Sequence, residues 1–230
     1  MHPIFLHLQK RKYEILLFAL LQHLFIGIFL NDLPNYTKVI WPINMLILGV
    51  ASVGVFVGKS RWKKALRNIL FLLVFFFPIT LPFFGDRANF MTALNIAYVV
   101  FFTYIFIEIM QFLVRPSYIN VDIISASACG YFLLLEISVF LLQYYFYLNP
   151  NSFKGVNTLG PATVYVDFVY LCSVTITSIG FGDITPSDHH TKLILSLIGI
   201  VGQFYSVVLV GILISKFTSK QEKIEQTLHD

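Results

Sequence analysis

The chain has 230 residues, of which 57% are hydrophobic and 12% are charged, and its mean hydropathy is +0.76. Because soluble domains carry about 25% charged residues, this composition excludes a globule exposed to water and predicts a protein of the lipid bilayer. The net charge of +4 follows from the uneven placement of Lys and Arg along such a chain, so it gives no reason to expect a nucleic-acid partner.

Six runs with few or no charged residues are long enough to cross a membrane as helices. A helix of about 20 apolar residues spans the hydrocarbon layer, and tilt accommodates moderate differences in length. The fifth run is interrupted only by Glu136. The sequence thus predicts an all-α membrane protein with six transmembrane helices, at residues 15–31, 39–58, 68–85, 88–107, 123–148 and 193–215.

The distribution of Lys and Arg predicts the orientation of these helices. Of the basic residues, those that six crossings would place outside the cell are Lys38, Arg87, Lys154 and Lys192. Because cytoplasmic loops carry the excess of Lys and Arg, both termini are predicted to be cytoplasmic. The protein is therefore expected in a plasma or inner membrane, with the loop around Asp183 facing outward.

A shorter apolar stretch precedes the sixth run. Residues 164–176 are too few to cross a bilayer, and Gly180 and Gly182 follow them. Irregular backbone at membrane depth is tolerated only where protein surrounds it or where it lines a water-filled cavity. We therefore predict a re-entrant pore helix over residues 163–177, followed by a loop that lines a pore.

Residues 175–183 read TITSIGFGD, which resembles the selectivity-filter signature of the tetrameric K⁺-channel superfamily, usually T-T-V-G-Y-G-D. In that family backbone carbonyls replace the hydration shell of K⁺. The resemblance implies K⁺ binding at the carbonyls of Ser178, Ile179, Gly180 and Phe181 and at the Ser178 hydroxyl, in a filter that ends at Gly182. The alternative for such a glycine-containing segment is an ordinary turn.

The resemblance extends to residues around the filter. It implies that Tyr170 in the pore helix bonds Asp183 after the filter, that Thr177 supports the filter, and that Gly202 is a hinge in the inner helix. Gly202 as a packing glycine is the alternative, because glycine is frequent in membrane helices. Residues 202–206, GQFYS, are similar to those of prokaryotic members.

Two residues depart from the usual signature. Ser178 replaces threonine, which keeps the hydroxyl but loses the methyl group that restricts its rotamer. The innermost ion site is therefore expected to be looser. Phe181 replaces tyrosine, so one outer hydrogen bond is lost.

The resemblance also implies a domain organisation. Residues 1–118 would form a four-helix domain like a voltage sensor, residues 119–217 a pore domain with outer helix, pore helix, filter and inner helix, and residues 218–230 a short cytoplasmic tail. Residues 91–114 contain no Lys or Arg and only Glu108 as an ionisable group, so this domain lacks gating charges. The tail is predicted to be frayed, with an extension of the inner helix as the alternative.

Five positions outside the filter carry an ionisable side chain that could have a further role. Glu136 lies near the middle of a predicted membrane helix, where a charge is costly. We expect it to be neutral or paired behind the pore helix, with ion binding as the alternative. His189 and His190 lie near the outer mouth and are candidates for sensing external pH. The alternative is that they belong to a solvated loop without such a role. Cys129 and Cys172 are expected to be buried thiols that behave as small apolar residues. No metal cluster is expected.

Together these patterns predict a passive, K⁺-selective, homotetrameric channel, which is not an enzyme and needs no cofactor beyond the permeant K⁺. Gating by a charge-carrying voltage sensor is not expected. The alternatives are a poorly selective cation channel, because of Ser178, and a membrane receptor or scaffold with a vestigial pore. A secondary transporter is disfavoured, since no pair of broken-helix repeats is found.

Overall fold

The computed structural model describes residues 11–30, 36–55, 61–85, 87–114 and 121–229. These residues are almost entirely helical, with one antiparallel pair of two-residue strands, so the prediction of an all-α membrane protein is confirmed. The helices are α1 (Lys12–Phe25), α2 (Trp41–Val53), α3 (Arg61–Phe84), α4 (Ala88–Val114), α5 (Val121–Leu148), α6 (Pro161–Ile176) and α7 (His189–His229). A 3₁₀ turn extends α1 over Ile26–Phe29, and a π-helical turn at Tyr36–Ile40 leads into α2.

Four helices in the described ranges are long and apolar enough to cross a bilayer, namely Lys12–Phe29, Ala88–Val114, Val121–Leu148 and His189–Gly211. Helix α2 and the apolar part of α3, Asn68–Phe84, are shorter. Every one of the six predicted runs contains a helix, and the number of complete crossings stays a prediction.

Helix α3 continues through two prolines, Pro78 and Pro82. Each proline lacks the N–H that would bond the carbonyl four residues earlier. The Thr80 hydroxyl, placed between them, donates to the carbonyls of Phe76 and Phe77 at 3.0 and 3.1 Å. The carbonyls that lose a backbone donor to the prolines are those of Val74 and Pro78, so the Thr80 hydroxyl adds a donor in the same turn and does not replace the missing ones.

Helix α5 lies at the centre of the packing. Helices α1 and α4 contact it directly, α4 most extensively, while α6 and α7 also pack against α5. Buried aromatic rings fill the contact between α4 and α5: Phe102 and Phe140 stack with centroids 5.6 Å apart, and Tyr98 lies 4.8 Å from Phe140. Lipid is as apolar as these rings, so close packing and not the exclusion of water holds the helices together.

A small residue brings α7 close to α5. A side chain at Gly130 would collide with the Tyr205 hydroxyl, and that hydroxyl donates to the Ser127 carbonyl at 2.8 Å. Small residues at such contacts allow membrane helices to approach closely. This contact places α7 beside α5 and below the end of α6.

The structure changes two predicted boundaries. The pore helix is Pro161–Ile176, because Pro161 suits the first helical turn. Helix α7 continues to His229, so the tail expected to be frayed is helical and the alternative extension is correct. Residues 218–229 contain neither glycine nor proline and are rich in Lys, Gln and Glu, which favour helix.

Candidate selectivity filter

The backbone of the predicted filter alternates between two conformations. Ser178, Gly180 and Gly182 have φ values of 61°, 58° and 81°, whereas Ile179 and Phe181 between them have negative φ. Alternation of left-handed and right-handed backbone turns successive N–H groups to one side of the strand. The carbonyl groups are thereby turned to the opposite side.

The N–H side of this strand faces the C-terminal end of α6. The N–H groups of Ile179 and Gly180 both donate to the Val174 carbonyl, at 2.8 and 3.1 Å. The Ser178 N–H donates to the Thr175 carbonyl at 3.0 Å. A helix end leaves its last carbonyls without intrahelical donors, and the filter supplies them. Because the C=O of a trans peptide points opposite to its N–H, the carbonyls of Thr177, Ser178 and Ile179 face away from these acceptors on α6.

The glycines meet a backbone requirement rather than a lack of space. Within this chain a side chain at Gly180 or Gly182 would have no neighbour within 4 Å. Their positive φ, however, would cost an L-residue about 1–2 kcal/mol. Ser178 adopts this region despite its side chain, so surrounding hydrogen bonds must hold it there.

The structure brings together the residues predicted around the outer end of the filter. The Tyr170 hydroxyl donates to Asp183 Oδ1 at 2.9 Å. The Tyr170 ring also lies parallel to the Phe181 ring, at 3° and 6.2 Å between centroids. At the other end of the loop, the Thr177 hydroxyl donates to the Ser173 carbonyl at 2.7 Å. Tyr170 thus contacts both the Asp183 side chain, which follows the filter, and the ring of Phe181.

A contact that the sequence analysis missed holds the exit of the filter. Strand β1 (Phe153–Lys154) pairs antiparallel with β2 (Thr185–Pro186) just beyond Asp183. The adjoining Gly155 has φ 85°, and a side chain there would collide with the Asp183 carbonyl. The segment before α6 therefore packs directly on the backbone at the filter exit. A lone glycine between Lys154 and Val156 was the only sequence signal for it.

At the inner end the structure adds another residue, Gln203. Its Nε2 donates to the Ile176 carbonyl at 2.9 Å and to Ser178 Oγ at 2.7 Å. The signal available in the sequence was a single amide in the apolar run of the inner helix.

Gly202, the predicted hinge, lies where α7 passes the end of α6. A side chain there would approach Ile176 Cγ2 to 2.8 Å, and α7 is continuous through this position. The close contact gives a packing reason for the glycine in this conformation. The hinge role stays a prediction.

His189 and His190 are the first two residues of α7, and their exposed rings lie 3.8 Å apart. Asp188 caps the helix by accepting a hydrogen bond from the Thr191 N–H at 2.9 Å, which lowers the pKa of the Asp188 carboxyl. Within the described ranges no group of three or more metal-ligating side chains is found. The pH-sensing role of the histidines stays a prediction.

Glu136 has a partner that the sequence did not indicate. His23 Nε2 on α1 lies 3.7 Å from Glu136 Oε1 on α5, and both side chains are completely buried. The His23 ring is 5.3 Å from the ring of Tyr165 on α6. The two side chains therefore face each other between the first helix and the outer helix, behind the pore helix, at a distance longer than a hydrogen bond.

The contact between Tyr170 and Asp183 predicts coupled effects of mutation. Tyr170→Phe removes the donor to Asp183, so we expect K⁺ current to decay faster during sustained opening. In a double-mutant cycle with Asp183→Asn, the two changes should deviate from additivity by at least about 0.5 kcal/mol. Additive effects on the decay rate would show that this hydrogen bond does not support the filter.

The packing of Gly155 predicts a sharp difference between two loop glycines. Gly155→Ala combines a positive φ with a collision, so we expect a loss of about 1–2 kcal/mol and a melting temperature lower by about 2–8 °C. The matched control is Gly160→Ala, because Gly160 has an extended φ of 174° and no neighbour within 4 Å of a built side chain. Equal melting temperatures of the two variants in detergent would contradict the proposed packing.

Comparison with known proteins finds a similar family for the region that contains the candidate filter. Residues 130–219 match a family model described as "Ion channel". The chain is 28% identical over 93 residues to "Two pore potassium channel a" of Oryza sativa subsp. japonica, covering 40% of this chain and 25% of the relative. It is 34% identical over 83 residues to "Two-pore potassium channel 1" of Arabidopsis thaliana, covering 34% and 21%.

The matched region thus spans a quarter or less of the length of these curated relatives. No solved structure gives a significant match to the chain. The match to the ion-channel family begins in α5 and runs through α6, the filter strand and most of α7, and it distinguishes the chain from enzymes. Residues 130–219 are thus similar to the ion-channel family, and the curated relatives that the chain matches are named as potassium channels.

Proposed function

We propose that four copies of this chain form a passive channel that is selective for K⁺. The observation that carries the proposal is the alternating φ of residues 178–182, together with the N–H groups of residues 178–180 that donate to the end of α6. This backbone would align the carbonyls on the opposite side. A desolvated K⁺ needs oxygens on all sides, and one strand supplies a single row. Four such rows around an axis would enclose the ion.

The exposure of apolar side chains supports an assembly of copies. Ile179 and Phe181 in the filter are 57% and 68% exposed in the single chain. Helix α7 likewise exposes apolar residues along its length, among them Leu193, Leu197, Ile200, Phe204 and Val207. Lipid alone could cover a helix face, but it could not cover a filter whose carbonyls must meet water and ions. Neighbouring copies of the chain would cover these apolar residues and also complete the pore.

The similarity to relatives named as potassium channels supports K⁺ as the permeant ion, and the ion-channel match over residues 130–219 includes the candidate filter. The four helices α1 to α4 would then serve as a scaffold. No basic residue occurs in α4, and each charge crossing the membrane field contributes about 2.3 kcal/mol per 100 mV. Some stimulus other than the movement of charged side chains in α4 would open the pore.

Current through the purified protein in a planar bilayer tests this proposal, with K⁺ on one side and Na⁺ on the other. Carbonyl rings that replace the K⁺ shell should shift the reversal potential by about 59 mV for each tenfold preference for K⁺. A reversal potential near zero would favour the poorly selective cation channel. Complete absence of current from assembled protein would favour the vestigial pore.

Gly180→Ala is the matching variant in the same recording. A methyl group disfavours the positive φ that orients the carbonyl, so K⁺ current should be lost while assembly, measured by size-exclusion chromatography, is retained. Unchanged conductance would show that the permeation pathway lies elsewhere.

Gating should depend little on membrane potential. Recordings of open probability from about −120 to +120 mV should show a shallow dependence that changes when Rb⁺ replaces K⁺, because only ions entering the filter move through the field. A steep dependence that is insensitive to the permeant ion and altered by substitutions in α4 would contradict this expectation.

A further inference from the structure

We propose that Gln203 is a positioning residue for the innermost ion site and substitutes for the methyl group that Ser178 lacks. The inference rests on the proposed K⁺ channel and deepens it, because it concerns what shapes the first ring of oxygens above the inner cavity. Its basis is a pair of hydrogen bonds from one amide nitrogen to the pore helix and to the filter.

The end of α6 shows why the amide is needed. Of its last four carbonyls, those of Ser173, Val174 and Thr175 accept backbone N–H groups from residues 177–180. The fourth carbonyl, that of Ile176, accepts from Gln203 Nε2 at 2.9 Å. A carbonyl can only accept, so this contact requires the amide nitrogen to face α6. Gln203 thus completes the cap that the filter strand leaves unfinished.

The same nitrogen holds the Ser178 hydroxyl. Gln203 Nε2 lies 2.7 Å from Ser178 Oγ and carries two hydrogens, one for each acceptor. A serine side chain can occupy three staggered rotamers, whereas the branched threonine is more restricted. A donor fixed to the pore helix selects one of the serine rotamers. The hydroxyl oxygen then keeps its remaining lone pair for an ion.

The position of Gln203 depends on the residue before it. Because Gly202 has no side chain, α7 approaches Ile176 closely enough for any added Cβ to lie 2.8 Å from Ile176 Cγ2. At this separation the glutamine side chain spans from α7 to the filter. Asparagine, one methylene shorter, would be too short to reach both acceptors. Gly202 and Gln203 together therefore connect the inner helix to the filter.

Block by Ba²⁺ from the cytoplasmic side tests the role of Gln203. Ba²⁺ has nearly the radius of K⁺ and twice its charge, and from this side it meets the Ser178 ring first. We compare the unchanged protein with Gln203→Met, Ser178→Thr and the double variant. Methionine has a similar length and no donor. We expect Gln203→Met to weaken Ba²⁺ block at least about fivefold, the equivalent of one net hydrogen bond.

Rescue separates positioning from a general structural effect. Threonine restricts its own rotamer, so Gln203→Met should change the block less than about twofold when Ser178→Thr is present. Ser206→Ala is the control on the same helix, because the Ser206 hydroxyl bonds only the Gly202 carbonyl among the described partners, at 3.0 Å. It should leave the block unchanged. If Gln203→Met does not assemble, Gln203→Asn replaces it, with the same expected loss.

Two results would overturn the inference: unchanged block in Gln203→Met, or an equal effect with Ser178 and with threonine. A readout without current is the rise in melting temperature that K⁺ causes in the purified protein, since an ion that binds the folded state stabilises it. This rise should shrink in Gln203→Met and return in the double variant. If the unchanged protein conducts K⁺ selectively, a negative result rejects only the role of Gln203. If selective current is absent but K⁺ raises the melting temperature in the expected pattern, only the proposed channel is rejected. If the current and the melting temperature both fail to show the expected result, the channel and the role of Gln203 are both rejected.

Discussion

The structure depends on one requirement of the backbone, namely that a strand with all its carbonyls on one side must have its N–H groups satisfied on the other. Helix α6 meets this requirement because its C-terminal carbonyls accept from Ser178, Ile179 and Gly180. The helix end and the strand therefore satisfy each other, and neither would be stable at membrane depth alone. The same arrangement directs the negative end of the α6 dipole toward the inner end of the filter, where it favours a cation.

Contacts at both ends keep the strand in this conformation. At the outer end the Tyr170 hydroxyl and the pairing of β1 with β2 hold the backbone around Asp183. At the inner end Gln203 bonds the last carbonyl of α6 and Ser178. The filter is thus connected to the loop before α6, to the pore helix and to α7.

The first four helices contribute a different kind of contact. Of these, α1 and α4 pack on α5, α4 through large buried rings, and α1 places His23 3.7 Å from Glu136. This contact lies beside Tyr165 of the pore helix. A scaffold without basic residues in α4 is therefore still joined to the pore module through packing and one buried pair.

The sequence alone determined the class of protein and the approximate positions of the helices, and it predicted the site, because these depend on local composition and on a short motif. Glycines at 180 and 182 and the TITSIGFGD pattern identified the filter, and the family resemblance also indicated Tyr170 and Asp183 as a pair. Only the tertiary structure revealed the contacts of Gln203 with Ser178, of Gly155 with Asp183 and of His23 with Glu136. Each joins residues on different elements, and periodicity cannot report how helices are rotated and how closely they approach. The extension of α7 beyond residue 217 was only the alternative interpretation of the sequence. A helix of polar residues has no apolar run to mark it, although its helix propensity is favourable.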